Sequence, residues 1–534
     1  MGEESERRVV PAREILAKIE RGEPVEYDGV IIEDDLDISG LDLPTVHVER
    51  TEAEKQLGLT EERKVISSQI TNTNSEIQGK VNFRNAQFQK PIDFRGSKFT
   101  GGGANFWEAE FGRNASFGGA VFGGDANFVG TRFTGGDAHF WEAEFGRNAH
   151  FWDAEFGGHA NFEGAEFGGG AYFGKTKFAG GYAYFGKTKF IGGIAYFERA
   201  EFGGDAYFGK TKFAGGHAHF VGAKFAGEHA HFVGAEFAKD AYFVEAEFGG
   251  DAYFWEAEFG GDAHFVGTKF TGGDTHFGGA VFGGNAHFVR AEFKGDAYFV
   301  EAKFGGNAYF WGAEFEGNAS FWGAEFEGNA SFDHDQFSKD LSFEDTKFAK
   351  PKSQEIVCRI AKRKMEEQGN KTTADHYFFR EIEAIRIQNG IRGIERKTYP
   401  TPANIRERLS QLSDKTKLLP SKIKRFLIYD VLEYVFIQRV FGYGVRPFNV
   451  AKAWLTVVFV LGFVYWAGAG LVRGNEPLEW YEYFYFSIVT AATPGYAGYT
   501  PATGFYIFLA GAQAIFGTFM WAAFIATFAR KWQR

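Results

Sequence analysis

The chain has 534 residues, of which 71 are glycine, 64 phenylalanine and one cysteine, and its formal net charge is −11. One cysteine excludes a disulfide framework and a cysteine-built metal site, and the acidic balance argues against a nucleic-acid binder held by counterion release. An aromatic share of 18% excludes glycine-rich disorder and exceeds what an ordinary globular core holds. Residues 1–80 read as an N-terminal cap. A short helix is expected over 11–21, with Ile15, Leu16 and Ile19 on one face. No apolar run stands here, so no signal peptide is expected. Ile70 and Ile77 foreshadow the register that follows.

Residues 81–350 are a repeat. From Phe83 to Phe348 stand 48 of the 64 phenylalanines, spaced alternately five and six or seven residues apart. Almost every one follows a small residue two places earlier, usually alanine, as in Ala138-His139-Phe140 and Ala143-Glu144-Phe145. A fixed short period of this kind means a solenoid. It fits neither 3.6 nor 7, so the coil is built from β-strands. The small residue and the phenylalanine point inward. After every second unit come turn formers such as Gly135-Gly136-Asp137, Gly249-Gly250-Asp251 and Gly317-Asn318. They tolerate positive φ and suit a corner. The pattern resembles the pentapeptide-repeat family, which implies a right-handed four-sided parallel β-helix. Four units per coil imply about twelve coils and a rod about 58 Å long.

On the outside, His139, His150, His219, His231, His264, His276 and His287 each precede a phenylalanine, as do Tyr172, Tyr184, Tyr196 and Tyr207. They read as a stacked solvent face rather than a metal ladder, because histidines adjacent in sequence fall on opposite faces of a four-sided coil. Tryptophans after a phenylalanine, such as Trp107, Trp255 and Trp322, mark either an interaction surface or packing against corners.

Residues 351–447 form a basic connector, with 20 Lys and Arg against 11 Asp and Glu, whereas 81–350 sum to about −13. Helices are expected over 353–368 and 373–388, capped by Ser353 and Thr373. Residues 421–441 mix aromatic, apolar and basic side chains and suit an inner membrane interface.

Residues 448–534 read as a membrane domain. Neither 453–472 nor 504–528 contains a charge, and each is long enough to span a bilayer. Basic residues flank their outer ends, and Glu476, Glu479 and Glu482 stand between them. The positive-inside rule therefore expects a multi-pass protein of the cell membrane with N-terminus, β-helix and C-terminus cytoplasmic. Between the spans, an aromatic apolar stretch from Trp480 is too short to cross, and glycine-rich backbone follows it. Irregular backbone at membrane depth is tolerated where it lines a water-filled path. A re-entrant loop is expected.

That loop resembles the pore loop of two-span potassium channels, in Thr493, Gly495, Tyr496 and Pro501. The resemblance implies a selectivity filter over Thr493, Pro494, Gly495, Tyr496, Ala497 and Gly498. Backbone carbonyls from four subunits would hold potassium or another monovalent cation at Thr493, Pro494, Gly495 and Tyr496. Pro494 and Ala497 depart from the family pattern. Gly517 stands where such channels often carry a gating hinge, and close helix packing is the other reading of it.

The combination resembles archaeal pentapeptide-repeat proteins fused to an ion-channel domain. It implies a homotetrameric cation channel in a lipid membrane, without a cofactor, whose β-helix senses or scaffolds an unknown ligand or protein. The alternative is a non-conducting, membrane-tethered scaffold that binds a cytosolic partner. No nucleic-acid partner is expected. No phosphate loop, nucleophile–base pair or metal-ligand spacing points to an enzyme.

Overall fold

The computed structural model describes residues 7–56, 58–332, 337–389, 440, 447–474, 477–493 and 498–533. The chain divides into two compact units, residues 1–353 and 354–534.

The first unit is a parallel β-solenoid of about 14 turns. Among the described residues its short strands form four sheets of 13, 13, 14 and 15 strands. In the order the chain visits them, face I runs from Leu36–Asp37 to Ala330–Ser331 and face II from Thr45–His47 to Glu314–Phe315. Face III runs from Val25–Asp28 to Leu341–Ser342 and face IV from Val9–Pro11 to Lys347–Phe348. Faces I and III are therefore opposite, as are II and IV. Among the described residues of this unit every pairing is parallel except Thr45–His47 on Glu62–Ile66, which closes face II at its N-terminal edge.

The register explains the composition. Each phenylalanine of the repeat is buried, as is each alanine two places before one, and successive coils lay like on like: Ala149 pairs with Ala171, and Phe145 with Phe167. Phe151 stacks on Phe173 with ring centroids 4.8 Å apart and meets Phe162 edge-on at 5.3 Å. Both arrangements suit the aromatic quadrupole. Threonine replaces some alanines, and its buried hydroxyl donates to a carbonyl, as Thr176 Oγ1 does to Phe151 O at 2.7 Å.

The coils number more than the phenylalanine period implies because the register begins upstream of Phe83. Ile32, Ile77 and Phe99 follow one another on face IV, and Leu36, Val81 and Ala104 on face I. Aliphatic side chains hold the inward positions there, so the aromatic signature is missing. Helix α1 (Ala12–Glu20) buries Ala12, Ile15 and Ile19.

The paired glycines have a different cause from the expected one. None of Gly135, Gly136, Gly249, Gly250 or Gly317 has positive φ. A Cβ at Gly135 would lie 1.7 Å from Gly112 O, and one at Gly272 1.4 Å from Gly249 O. Each leaves room for the backbone of the preceding coil. Positive φ falls instead two residues after the phenylalanines of faces I and III, at Glu142, Lys175 and Gly267 among others.

Helix α3 (Pro351–Glu367), whose first three residues close the first unit, forms a hairpin with α4 (Lys371–Asn389) of the second; the short α2 (Glu52–Gln56) belongs to the first unit. Arg359 and Lys362 both bind Glu381 across the hairpin, at 2.9 and 2.7 Å. The expected caps are displaced. Ser353 lies inside α3, and its Oγ accepts from the Ala330 amide at 2.9 Å. At α4, the Asn370 side chain caps the Thr373 amide at 3.2 Å. The expected interfacial segment, 421–441, lies outside the described residues apart from Val440.

Three further helices stand among the described residues of the second unit: α5 (Pro447–Ala467), α6 (Trp480–Ala492) and α7 (Gly504–Gln533). By length and composition, Pro447–Ala467 and Gly504–Ala529 are candidate membrane spans. Phe459, Phe463, Phe508, Ile515 and Phe519 are exposed on them, as a lipid-facing surface requires.

Candidate functional site

The loop between the spans is built on α6. Its thirteen residues are too few to cross a bilayer, and it packs on both spans instead. Phe484 lies where a Cβ at Gly462 of α5 would be 2.7 Å away, so glycine permits that approach. On the other side a Cβ at Gly517 would lie 2.0 Å from Ala491 O. Gly517 thus has a steric reason to be glycine at the crossing of α6 and α7. Tyr465, Leu471, Tyr483, Phe486, Tyr499 and Ala510 form the apolar centre, with Tyr465 edge-on to Phe486 at 5.1 Å.

Polar groups bind the helices together inside this apolar bundle. The Tyr465 hydroxyl donates to Gln513 Oε1 at 3.0 Å. Gln513 Nε2 donates to Ser487 O at 2.9 Å and to Ser487 Oγ at 2.6 Å, and Ser487 Oγ donates to Val458 O at 2.7 Å.

Both ends of the loop are anchored. At the C-terminus of α6 the Thr493 amide donates to Val489 O at 2.8 Å and its hydroxyl to the same carbonyl at 3.1 Å. At the far end Gly498 has φ +85°, the left-handed region that glycine tolerates. Tyr499 follows, and its hydroxyl donates to Glu482 Oε1 at 3.0 Å. Arg473 donates to the same oxygen at 3.1 Å. Leu471–Val472 then pairs antiparallel with Thr500–Pro501, which joins the exit of the loop to the exit of α5. Pro494, Gly495, Tyr496 and Ala497 lie outside the described residues. The C-terminal end of α6 carries the partial negative charge of a helix end.

Thr493 and Gly498 therefore stand at the two anchored ends of the expected filter. Ser487, Gln513, Glu482 and Arg473 were not singled out in the sequence. A glutamine within an uncharged apolar run was the available signal, since polar groups in spans are costly and retained for a reason.

On the solenoid, neighbouring histidines do lie on opposite faces, His139 on III and His150 on I. Within a face the rings stack coil on coil. Face III carries Tyr184, Tyr207, His231, Tyr253, His276 and Tyr298, with centroids 4.9–5.3 Å apart. Face I carries His219, Tyr242, His264, His287 and Tyr309 at 4.7–5.0 Å. Among the described residues no three His, Cys, Asp or Glu come together to hold a metal. Burial lowers the imidazole pKa of His150, His219, His231, His276 and His287. Burial and the Asp251 carboxylate push the Tyr253 hydroxyl up to about 12. Several tryptophans cover corners: a Cβ at Gly118 would lie 2.3 Å from the Trp141 ring, and the Arg84 guanidinium sits 4.0 Å from the Trp107 centroid. Trp255, Trp311 and Trp322 remain exposed.

Residues 453–534 match the family model described as ion channel. Residues 73–119, 106–155, 232–280 and 277–325 match that of pentapeptide repeats in nine copies. No curated protein and no solved structure gives a match. The ion-channel match takes in all three helices of the bundle apart from the start of α5, together with the anchored loop. The protein is thus a membrane protein that carries a pentapeptide-repeat solenoid and a C-terminal ion-channel domain, and these parts suggest transport rather than catalysis.

Proposed function

We propose that the chain is one subunit of a homotetrameric cation channel that conducts through the loop from Thr493 to Gly498. The observation that carries this reading is the short α6 between two candidate spans, with an anchored loop at its C-terminal end. Backbone carbonyls at Thr493, Pro494, Gly495 and Tyr496 would replace the hydration shell of potassium or another monovalent cation. Pro494 lacks an amide hydrogen but keeps its carbonyl, so coordination survives there. Ala497 stands where the family pattern has glycine, which leaves the choice among monovalent cations to experiment. The basic residues outside the spans and the acidic ones between them favour cytoplasmic termini and a cytoplasmic solenoid. In that arrangement the solenoid scaffolds or senses a cytosolic ligand, and no cofactor takes part. Gly517, packed on Ala491, acts at the crossing of α7 with α6, where a gating motion would pivot.

Purified protein in planar lipid bilayers is expected to pass potassium or sodium current. Silence under every ion and voltage, from protein shown to be folded and tetrameric, contradicts the proposal and favours a tethered scaffold.

A further inference from the structure

Gln513 is 2% exposed, in the middle of an apolar span, and all of its polar atoms are engaged. An amide in such surroundings is costly unless bonded. Its partners come from both other helices: Tyr465 from α5, and Ser487 from α6, which in turn holds Val458 O of α5. Ser487 and Tyr465 are fully buried. The next buried hydroxyl of α6, Thr490 Oγ1, finds no partner among the described residues. The middle of α6 is therefore tied to the spans through Ser487. Six residues further on, α6 ends at Thr493, where the loop begins.

We infer that Gln513, acting through Ser487 and Tyr465, is a positioning residue that sets the seat of α6 and with it the entry to the ion-conducting loop at Thr493. The inference rests on the channel reading. Its chemistry is specific. Only a side chain that accepts from the Tyr465 hydroxyl and donates to Ser487 restores the tie. Leucine has the volume but neither function. A glutamate accepts from Tyr465 in either state, and it donates to Ser487 only when protonated.

The test uses the full chain in phospholipid vesicles as wild type, Gln513→Leu and Gln513→Glu. Amide exchange at residues 487–493, expressed as protection relative to wild type at the same pH, reports the hold on α6 without requiring current. Exchange in the solenoid serves as the folding control. Q513L is expected to lose protection about tenfold or more at every pH. Q513E is expected to lose it at neutral pH and regain it in acid. Unchanged protection in Q513L overturns the inference. Where wild type conducts, the potassium-to-sodium permeability ratio of Q513E is expected to titrate together with its protection. A ratio identical in all three forms at every pH overturns the positioning role. A silent wild type overturns the channel reading instead, and the exchange pattern still decides whether Gln513 seats α6.

Discussion

Phe254 shows what one residue contributes. It stacks between Phe232 at 4.9 Å and Phe277 at 4.8 Å and meets Phe243 and Phe265 edge-on at 5.5 Å. Phe254→Ala is expected to cost about 3–5 kcal/mol, because a cavity in a close-packed ladder collapses poorly. In a solenoid each coil contacts only its neighbours. Amide exchange should therefore accelerate in the coils beside Phe254 and stay unchanged near Phe111. Gly272→Ala tests the other half of the repeat. Its Cβ would meet Gly249 O, so thermal unfolding is expected at lower temperature, although the φ of Gly272 is open to alanine. The phenylalanines were legible in the sequence because their period is fixed by the coil. The reason for the paired glycines was not, because contact with the coil below does not register in local turn chemistry. At Gly517 both readings were open, and the 2.0 Å approach to Ala491 O supplies the steric one. Gly517→Ala is expected to destabilise the membrane bundle, read as a lower unfolding temperature in detergent with the solenoid unaffected.

At the scale of the element, faces I and III join stacked imidazole and phenol rings in continuous columns, with carboxylates alongside. Asp205, Asp240, Asp251 and Asp296 accept from the tyrosine hydroxyls two residues on. Five histidines of these faces have pKa values below the ordinary 6.5, with burial as the first cause. The fold thus prefers their neutral form. As pH falls through 6.5 the unfolded chain takes up protons that the folded one resists, so stability is present above that value and is lost in acid. Unfolding temperature of the solenoid is expected to drop between about pH 7 and about pH 5. His231→Gln and His276→Gln together should flatten that slope. An unchanged slope would locate the acid sensitivity elsewhere. The stacking was legible from spacing alone, since the sequence puts one such ring per face on each of the middle coils. Helix α6 was legible as an element too short to span. Its ties were not: Ser487 and Gln513 stand 26 residues apart and meet only when α6 folds back between the spans.

At the scale of the whole molecule, an acidic solenoid and an ion-channel domain share one chain, with α3 and α4 following the last coil. The change of composition near residue 350 made that division visible, and the compact units part at residue 353. Ile70 and Ile77 foreshadowed one upstream coil, and the coil before it escaped notice because isoleucine, valine and leucine fill the inward positions there instead of phenylalanine. The ladder of the solenoid is architecture. In the proposed channel, conduction takes place in the loop beyond α6. The most direct measurement is the reversal potential of the reconstituted protein in asymmetric potassium chloride. Conduction through the loop from Thr493 to Gly498 predicts a reversal near the potassium equilibrium potential, and a shift on replacing potassium by sodium that reports the selectivity. Reversal at the chloride equilibrium potential, or no current from folded protein at any voltage, would contradict it.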